Sequence, residues 1–258
     1  MAGGENLRKR SSLLINDDLL IDIGPDIFSA SGQYGIPLEN IRICLQTHPH
    51  GDHFDPEMII SRHPDYATVI KNEMTIIASK ETLVIMDSII NSKCDYGSIF
   101  DKSAQRNYGI RVMPIAAYER LDCGGYLITA YPANHGAPEQ GFMIYSVMRG
   151  GRSILYATDT SVIFEEVWLK MREYNECFDV IVLDHTYGAG IEPSDHLSLK
   201  AFVDHVKRFR EEGLLKPNGL VYATHISHEG NYLYFEFETI AEEFGYHIAY
   251  DGLQIELE

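Results

Sequence analysis

Thr47-His48-Pro49-His50-Gly51-Asp52-His53 places three of the chain's 11 histidines and one aspartate within six positions. Neutral imidazole nitrogens and carboxylate oxygens are ligands for a borderline divalent cation. In extended chain His48 and His50 point to the same side. Gly51 permits a sharp turn, so Asp52 and His53 come round on the next turn of chain. Four donors on both sides of a turn can serve two metal ions rather than one. A polar loop with chance histidines would rarely concentrate them so strongly.

The same chemistry recurs at the ends of apolar runs. Residues 41–46 lead into Thr47-His48, and residues 126–131 lead into Asn134-His135. Residues 153–157 lead into Asp159, residues 180–183 into Asp184-His185, and residues 220–223 into Thr224-His225. Each run reads as a buried strand. Any one of these polar residues reads equally well as a cap or a loop residue. Five strands that each deliver a potential ligand just past their last residue are a more specific signal, because strand ends share a rim.

The order H-x-H-x-D-H, His, Asp, His resembles the five-motif pattern of the metallo-β-lactamase superfamily, from about Leu13 to the end of the chain. The resemblance implies an α/β (α+β) fold, the αββα four-layer sandwich, as a single domain over residues 1–258. It implies that His48, His50 and His135 bind a first metal, that Asp52, His53 and His225 bind a second, and that Asp159 bridges them. Asp52 then also belongs to the catalytic set. Two divalent ions are expected, with Zn²⁺ the default and Mn²⁺ credible because no ligand is a thiolate. Asp22 resembles the family's early aspartate, which orients a ligating histidine.

Asp184-His185-Thr186-Tyr187 and Asp195-His196-Leu197-Ser198 resemble the phosphodiesterase branch, which includes ribonuclease Z and the phosphoribosyl cyclic phosphodiesterase. There a carboxylate, here Asp184, and a downstream histidine, here His196, sit beside the metals. By that resemblance His196 protonates the leaving oxygen or holds the phosphate. His185 has no counterpart, and His63, His205 and His247 fall on ordinary helix or strand positions. The expected function is dinuclear hydrolysis of a small cyclic or short phosphodiester. A thioester or lactone hydrolase on the same metals is the alternative, and a non-catalytic binding protein of this fold is a third reading. Relatives normally begin with a further strand and, in many, a cysteine cluster that completes a zinc site with a histidine matching His228. The chain is therefore expected to lack that strand, to leave residues 12–15 at a sheet edge open to a second copy, and to hold no structural metal at His228.

The elements that must position these groups are legible from pattern. Residues 12–15 and 19–23 flank Asn16-Asp17-Asp18 and read as a hairpin. Helices are expected over 56–63, 80–91, 163–173, 198–212 (with Ser198 as N-cap) and 232–244. Strands are expected over 41–46, 75–78, 111–115, 126–131, 142–147, 153–157, 179–183 and 219–223, with a closing pair of short strands in 247–257. Residues 92–107 are weakly patterned. Composition is that of an ordinary globular protein, 45% hydrophobic, but the net charge is −17. So acidic a chain is a poor partner for long nucleic acid, which requires a basic surface. A small phosphorylated substrate held by metals remains compatible. No apolar run approaches a membrane span or a signal peptide. Cys44, Cys94, Cys123 and Cys177 are scattered without metal or disulfide spacing, which favours a reduced, cytoplasmic setting.

Overall fold

The computed structural model describes residues 3–228 and 230–257. The chain forms two compact units. The first comprises Arg10–Ala117 and Glu139–Met143; the second takes the chain up to Lys9, Tyr118–Pro138 and everything from Ile144 on.

The first unit is built on a five-stranded sheet. β1 (Leu13–Ile15) and β2 (Leu19–Ile21) form an antiparallel hairpin. Asn16 adopts φ 49° at its turn, a left-handed conformation that asparagine tolerates. β3 (Ile43–Leu45), β4 (Met74–Ala78) and β5 (Ile110–Pro114) then add in parallel, in the order β1-β2-β3-β4-β5. Among the described residues β1 is an end strand of this sheet.

Parallel neighbours need crossover connections. Helices α1 (Ile27–Tyr34), α2 (Glu57–Ile60), α3 (Lys80–Lys93) and α4 (Lys102–Tyr108) lie in them. α3 is capped by Ser79, whose hydroxyl accepts the Thr82 N–H at 3.0 Å. Leu20, Cys44 and Ile76 on one face of the sheet pack with Ile59, Leu83, Met86, Ile90 and Tyr108. Leu19, Ile21, Leu45 and Ile77, which alternate with them, are also buried. Neither α1 nor α4 was expected. Both are short, and α4 falls in the stretch that carries little pattern.

The second unit is built on a seven-stranded sheet of order β12-β11-β10-β9-β8-β7-β6. Its strands are β6 (Arg120–Cys123), β7 (Tyr126–Pro132), β8 (Met143–Arg149, which starts in the first unit), β9 (Arg152–Ala157), β10 (Phe178–Asp184), β11 (Leu215–Thr224) and β12 (His247–Ile248). β6/β7 and β8/β9 are antiparallel hairpins closed by Gly124-Gly125 and Gly150-Gly151. All four glycines have φ between 60° and 81°, which two-residue turns of this twist require. From β9 to β12 the sheet is parallel.

Every residue of β10 is buried, as a central parallel strand requires. Helices α5 (Glu165–Glu173), α6 (Leu199–Glu211) and α7 (Tyr234–Phe244) supply Trp168, Phe202, Phe209 and Phe237 to a core shared with Leu155, Ile181, Leu183, Val221 and Ala223. Ser198 occupies the N-cap position of α6 but makes no side-chain cap bond. Of the expected closing pair of strands only β12 forms. The Ala249 N–H continues the ladder to the Ala223 carbonyl at 2.9 Å, and the chain beyond it forms no second strand among the described residues. No described helix is long and apolar enough to cross a membrane.

Candidate functional site

Each unit gathers its own share of the expected residues. In the first, β2 ends in Asp22, held at φ 65°, and its N–H donates to the Leu45 carbonyl at 2.9 Å. The Asp22 carboxylate is fully buried. Its Oδ1 accepts the Thr47 N–H at 2.8 Å, the Thr47 hydroxyl at 2.8 Å and the Gln46 amide at 3.0 Å. Its Oδ2 lies 2.9 Å from His53 Nδ1. An ionised carboxylate only accepts, so His53 carries its proton on Nδ1 and presents the lone pair of Nε2, 3.4 Å from Asp52 Oδ2.

Thr47 repeats the arrangement for the next histidine. Its proton is committed to Asp22, so its oxygen accepts from His48 Nδ1 at 2.9 Å. Gln46 staples the loop by donating to the carbonyls of His48 (2.7 Å) and His53 (3.0 Å). The rings of His48 and His50 are 4.6 Å apart, and those of His48 and His53 4.5 Å. Donor atoms of His48 and His50 lie within 4.8 Å of each other, as do those of Asp52 and His53. Gly24 is tight against this loop: a Cβ there would sit 2.8 Å from the Asp52 carbonyl oxygen.

In the second unit the segments following β7, β9 and β11 deliver His135, Asp159 and His225, β10 ends in Asp184, and the segment before α6 delivers His196. Asp159 is buried at φ 47°, and His225 has φ 55°. Asp159 divides its oxygens: Oδ1 is 3.3 Å from His225 Nε2, and Oδ2 is 3.8 Å from His135 Nε2. His135 Nδ1 donates to the backbone carbonyl of Asp195 at 2.8 Å.

Asp184 is fully buried. Its Oδ1 accepts the N–H groups of Thr186 (3.0 Å) and Leu197 (3.1 Å), and its Oδ2 lies 2.9 Å from His196 Nδ1. Burial alone would lower the pKa of His196; the hydrogen bond and charge of Asp184 outweigh it and raise it. Thr186 Oγ1 is 3.2 Å from Asp184 Oδ2 and 2.7 Å from His225 Nδ1. Donor atoms of Asp159, Asp184, His196 and His225 all lie within 4.8 Å of one another.

These groups fit divalent cations. His53, His135 and His225 each have Nδ1 tied to a group behind the ring and Nε2 turned to a carboxylate, the orientation of a metal-bound imidazole. Asp159 turns one oxygen toward each of two histidines. The acidic and imidazole donor set, free of thiolate, suits Zn²⁺ or Mn²⁺.

Other histidines do structural work. His185 is fully buried among Phe202, Phe237 and Tyr246, and that burial pushes its pKa down to about 4. His63 stacks on Tyr96 at 3.7 Å, and buried His205 Nε2 accepts the Ile163 N–H at 3.1 Å. His247 and His228 are exposed, and among the described residues His228 joins no group of potential ligands. The sequence reading gave no role to Gln46, Thr47, Thr186 or the Asp195 carbonyl. Polar residues next to ligands are the signal that could have found the side chains; no sequence signal marks a carbonyl.

A family model for the beta-lactamase superfamily domain matches residues 18–226. The chain belongs to this superfamily. No curated protein matches its sequence. It resembles the crystal structure of a diphosphatase from the PhnP family, with 22% identity, a TM-score of 0.72, and coverage of 100% of this chain and 88% of that one. It also resembles the short form of human tRNase Z, with 15% identity, a TM-score of 0.65, and coverage of 99% and 97%. Zn²⁺-bound PqqB from Methylobacterium extorquens gives 14% identity, a TM-score of 0.61, and coverage of 96% and 88%. The two sheets and their helices are the mixed α/β metallo-β-lactamase fold that the motif order implied.

Proposed function

We propose that this chain is a metal-dependent hydrolase that cleaves a small cyclic or short phosphodiester. The observation that carries the reading is Asp159, whose two oxygens face His225 and His135 separately, beside the Asp184–His196 pair. Following the family's motif order, His48, His50 and His135 serve one divalent ion, Asp52, His53 and His225 a second, and Asp159 both. Such ions supply an activated water near neutral pH and offset charge developing on phosphoryl oxygens.

The protein's own share of the chemistry rests on placement and protons. Asp22 holds His53 directly, and Thr47 backs His48, so these rings reach the substrate-binding state without reorganisation. Asp184 fixes the His196 proton on Nδ1 and favours the imidazolium, so a second proton on Nε2 is available for a departing alkoxide. A phosphodiester leaving group is a poor one, and a placed acid is what it needs. The solved structures of a diphosphatase and of a tRNase Z support phosphoryl chemistry. The net charge of −17 favours a small substrate over a long nucleic acid.

The test is metal analysis of the purified protein together with turnover of cyclic nucleotides, short diesters, bis-(p-nitrophenyl) phosphate, acyl thioesters and lactones. Two metal ions per chain and phosphodiester turnover are expected, with both lost in Asp159→Ala while the fold persists. Turnover confined to thioesters or lactones would replace the substrate class, and an active protein free of metal would overturn the reading.

A further inference from the structure

We infer that the Thr186 hydroxyl is a positioning group that fixes the tautomer and ring orientation of His225, an inference that rests on the metal site proposed above. Asp184 Oδ2 stands 4.0 Å from His225 Nδ1, beyond hydrogen-bond reach. The hydroxyl spans that gap, at 3.2 Å from the carboxylate and 2.7 Å from the imidazole.

Hydrogen counting sets its direction. Ionised Asp184 only accepts, so the single Thr186 hydroxyl proton goes to Oδ2. The hydroxyl oxygen then accepts, and what it accepts at 2.7 Å is the proton on His225 Nδ1. His196 Nδ1, 3.1 Å from the same oxygen, is closer to the carboxylate at 2.9 Å and donates there. His225 is thereby held with Nε2 unprotonated and directed at Asp159. One buried aspartate thus orients two histidines, His196 directly and His225 through a hydroxyl. Asp22 does the same in the first unit, for His53 directly and for His48 through Thr47.

Thr186 is itself immobilised. Its N–H donates to Asp184, and its carbonyl accepts the Ser227 hydroxyl at 2.6 Å and the Asn231 amide at 2.9 Å. Thr186 is buried, with 7% of its surface exposed, so water does not readily replace its hydroxyl. These tethers are independent of the hydroxyl and keep the backbone in place when it is removed. His225 itself sits at φ 55°, a left-handed backbone that residues other than glycine adopt uncommonly.

The experiment compares wild type, Thr186→Val and Thr186→Ser. Imidazole ¹⁵N–¹H correlation spectra of the metal-free proteins should give His225 as the Nδ1–H tautomer in wild type and Thr186→Ser, and as a tautomer mixture in Thr186→Val. Zinc affinity, measured by competition with a chromophoric chelator, should fall ~10–100-fold in Thr186→Val, the usual cost of removing a ligand's hydrogen-bond partner, and recover in Thr186→Ser. An unchanged His225 tautomer in folded Thr186→Val overturns the inference, as does equal loss in the valine and serine variants, which would assign the effect to the methyl group. Wild-type protein that shows the expected tautomer but binds no metal overturns the proposed function and leaves the positioning role standing.

Discussion

The Nδ1 proton of His135 is donated to the backbone carbonyl of Asp195 at 2.8 Å. A carbonyl only accepts, so the main chain places a proton on His135 Nδ1. Asp195 also offers a carboxylate within 4.8 Å of donor atoms on His135 and His196, which makes it a rival ligand by distance alone. Its Oδ1, however, already accepts the Tyr187 hydroxyl at 2.8 Å and the Ser194 hydroxyl at 2.6 Å. Asp195→Ala is therefore expected to keep its metal content, whereas His135→Ala loses metal. Elemental analysis after gel filtration decides this, and equal loss in both variants would make Asp195 a ligand.

His196→Ala is expected to retain metal and to lower kcat on an unactivated phosphodiester by ~10²–10⁴, the range for a lost general acid. The acid works only while protonated. Burial pulls its pKa down, but Asp184 more than compensates and leaves it raised, so activity should fall as pH increases through that raised value. The alkaline limb should be missing in the variant. With p-nitrophenolate as leaving group the difference should shrink, because that group departs without a proton. Indifference of kcat to the substitution on an alkyl leaving group would remove His196 from the chemistry.

Gly24→Ala tests how tightly the histidine loop is held. The added methyl would stand 2.8 Å from the Asp52 carbonyl oxygen, a backbone atom that yields only if the loop moves. The expected outcome is weakened metal binding, with the loss of ~1–3 kcal/mol of stability typical of overpacking. Gly32→Ala, within α1 and with nothing near its Cβ, is the control and should stabilise by roughly 0.5–1 kcal/mol. Chelator competition and urea denaturation measure the two effects, and a Gly24→Ala protein with wild-type metal affinity would count against this coupling.

Much of this was legible in the sequence, for identifiable reasons. Short, mostly β-branched apolar runs such as 180–183 are too short for a buried helix and read as buried strands, and their polar termini fall where the strand stops. The Gly124-Gly125 pair carried the signal for β6; Arg120 to Cys123 alternate as a strand does, but four residues are too few to read as one alone. α1 and α4 are single short helices, too short for an apolar period to mark them in the sequence. The backbone at Asp22, Asp159 and His225 is left-handed, a conformation that Asp and His adopt more often than most side chains but too rarely to be read from sequence. Such strain is tolerated where surrounding bonds over-determine it, as the four donors on Asp22 do. Thr47 and Thr186 were visible as letters, yet their roles depend on which atom accepts, and that is a property of the folded chain.

His185 yields a prediction about acid stability. It is fully buried against Phe202, Phe237 and Tyr246, and neither ring nitrogen has a hydrogen-bond partner among the described residues. Burial depresses its pKa to about 4, from an ordinary value of 6.5. As pH falls below 6.5 the unfolded chain takes up this proton before the folded one does. Stability from a neutral His185 is thus fully present above pH 6.5, declines as pH falls toward 4, and levels below that. The full extent is on the order of 3 kcal/mol. His185→Phe keeps an aromatic ring in the same cage and removes the titration. Urea denaturation of metal-free protein between pH 7 and pH 4 should give a shallower decline for this variant than for wild type. Metal-free protein is the right sample because it removes the separate pH dependence of metal binding. Parallel declines in the two proteins would show that His185 titrates alike in the folded and unfolded chains, and would overturn the assignment of a sealed core histidine.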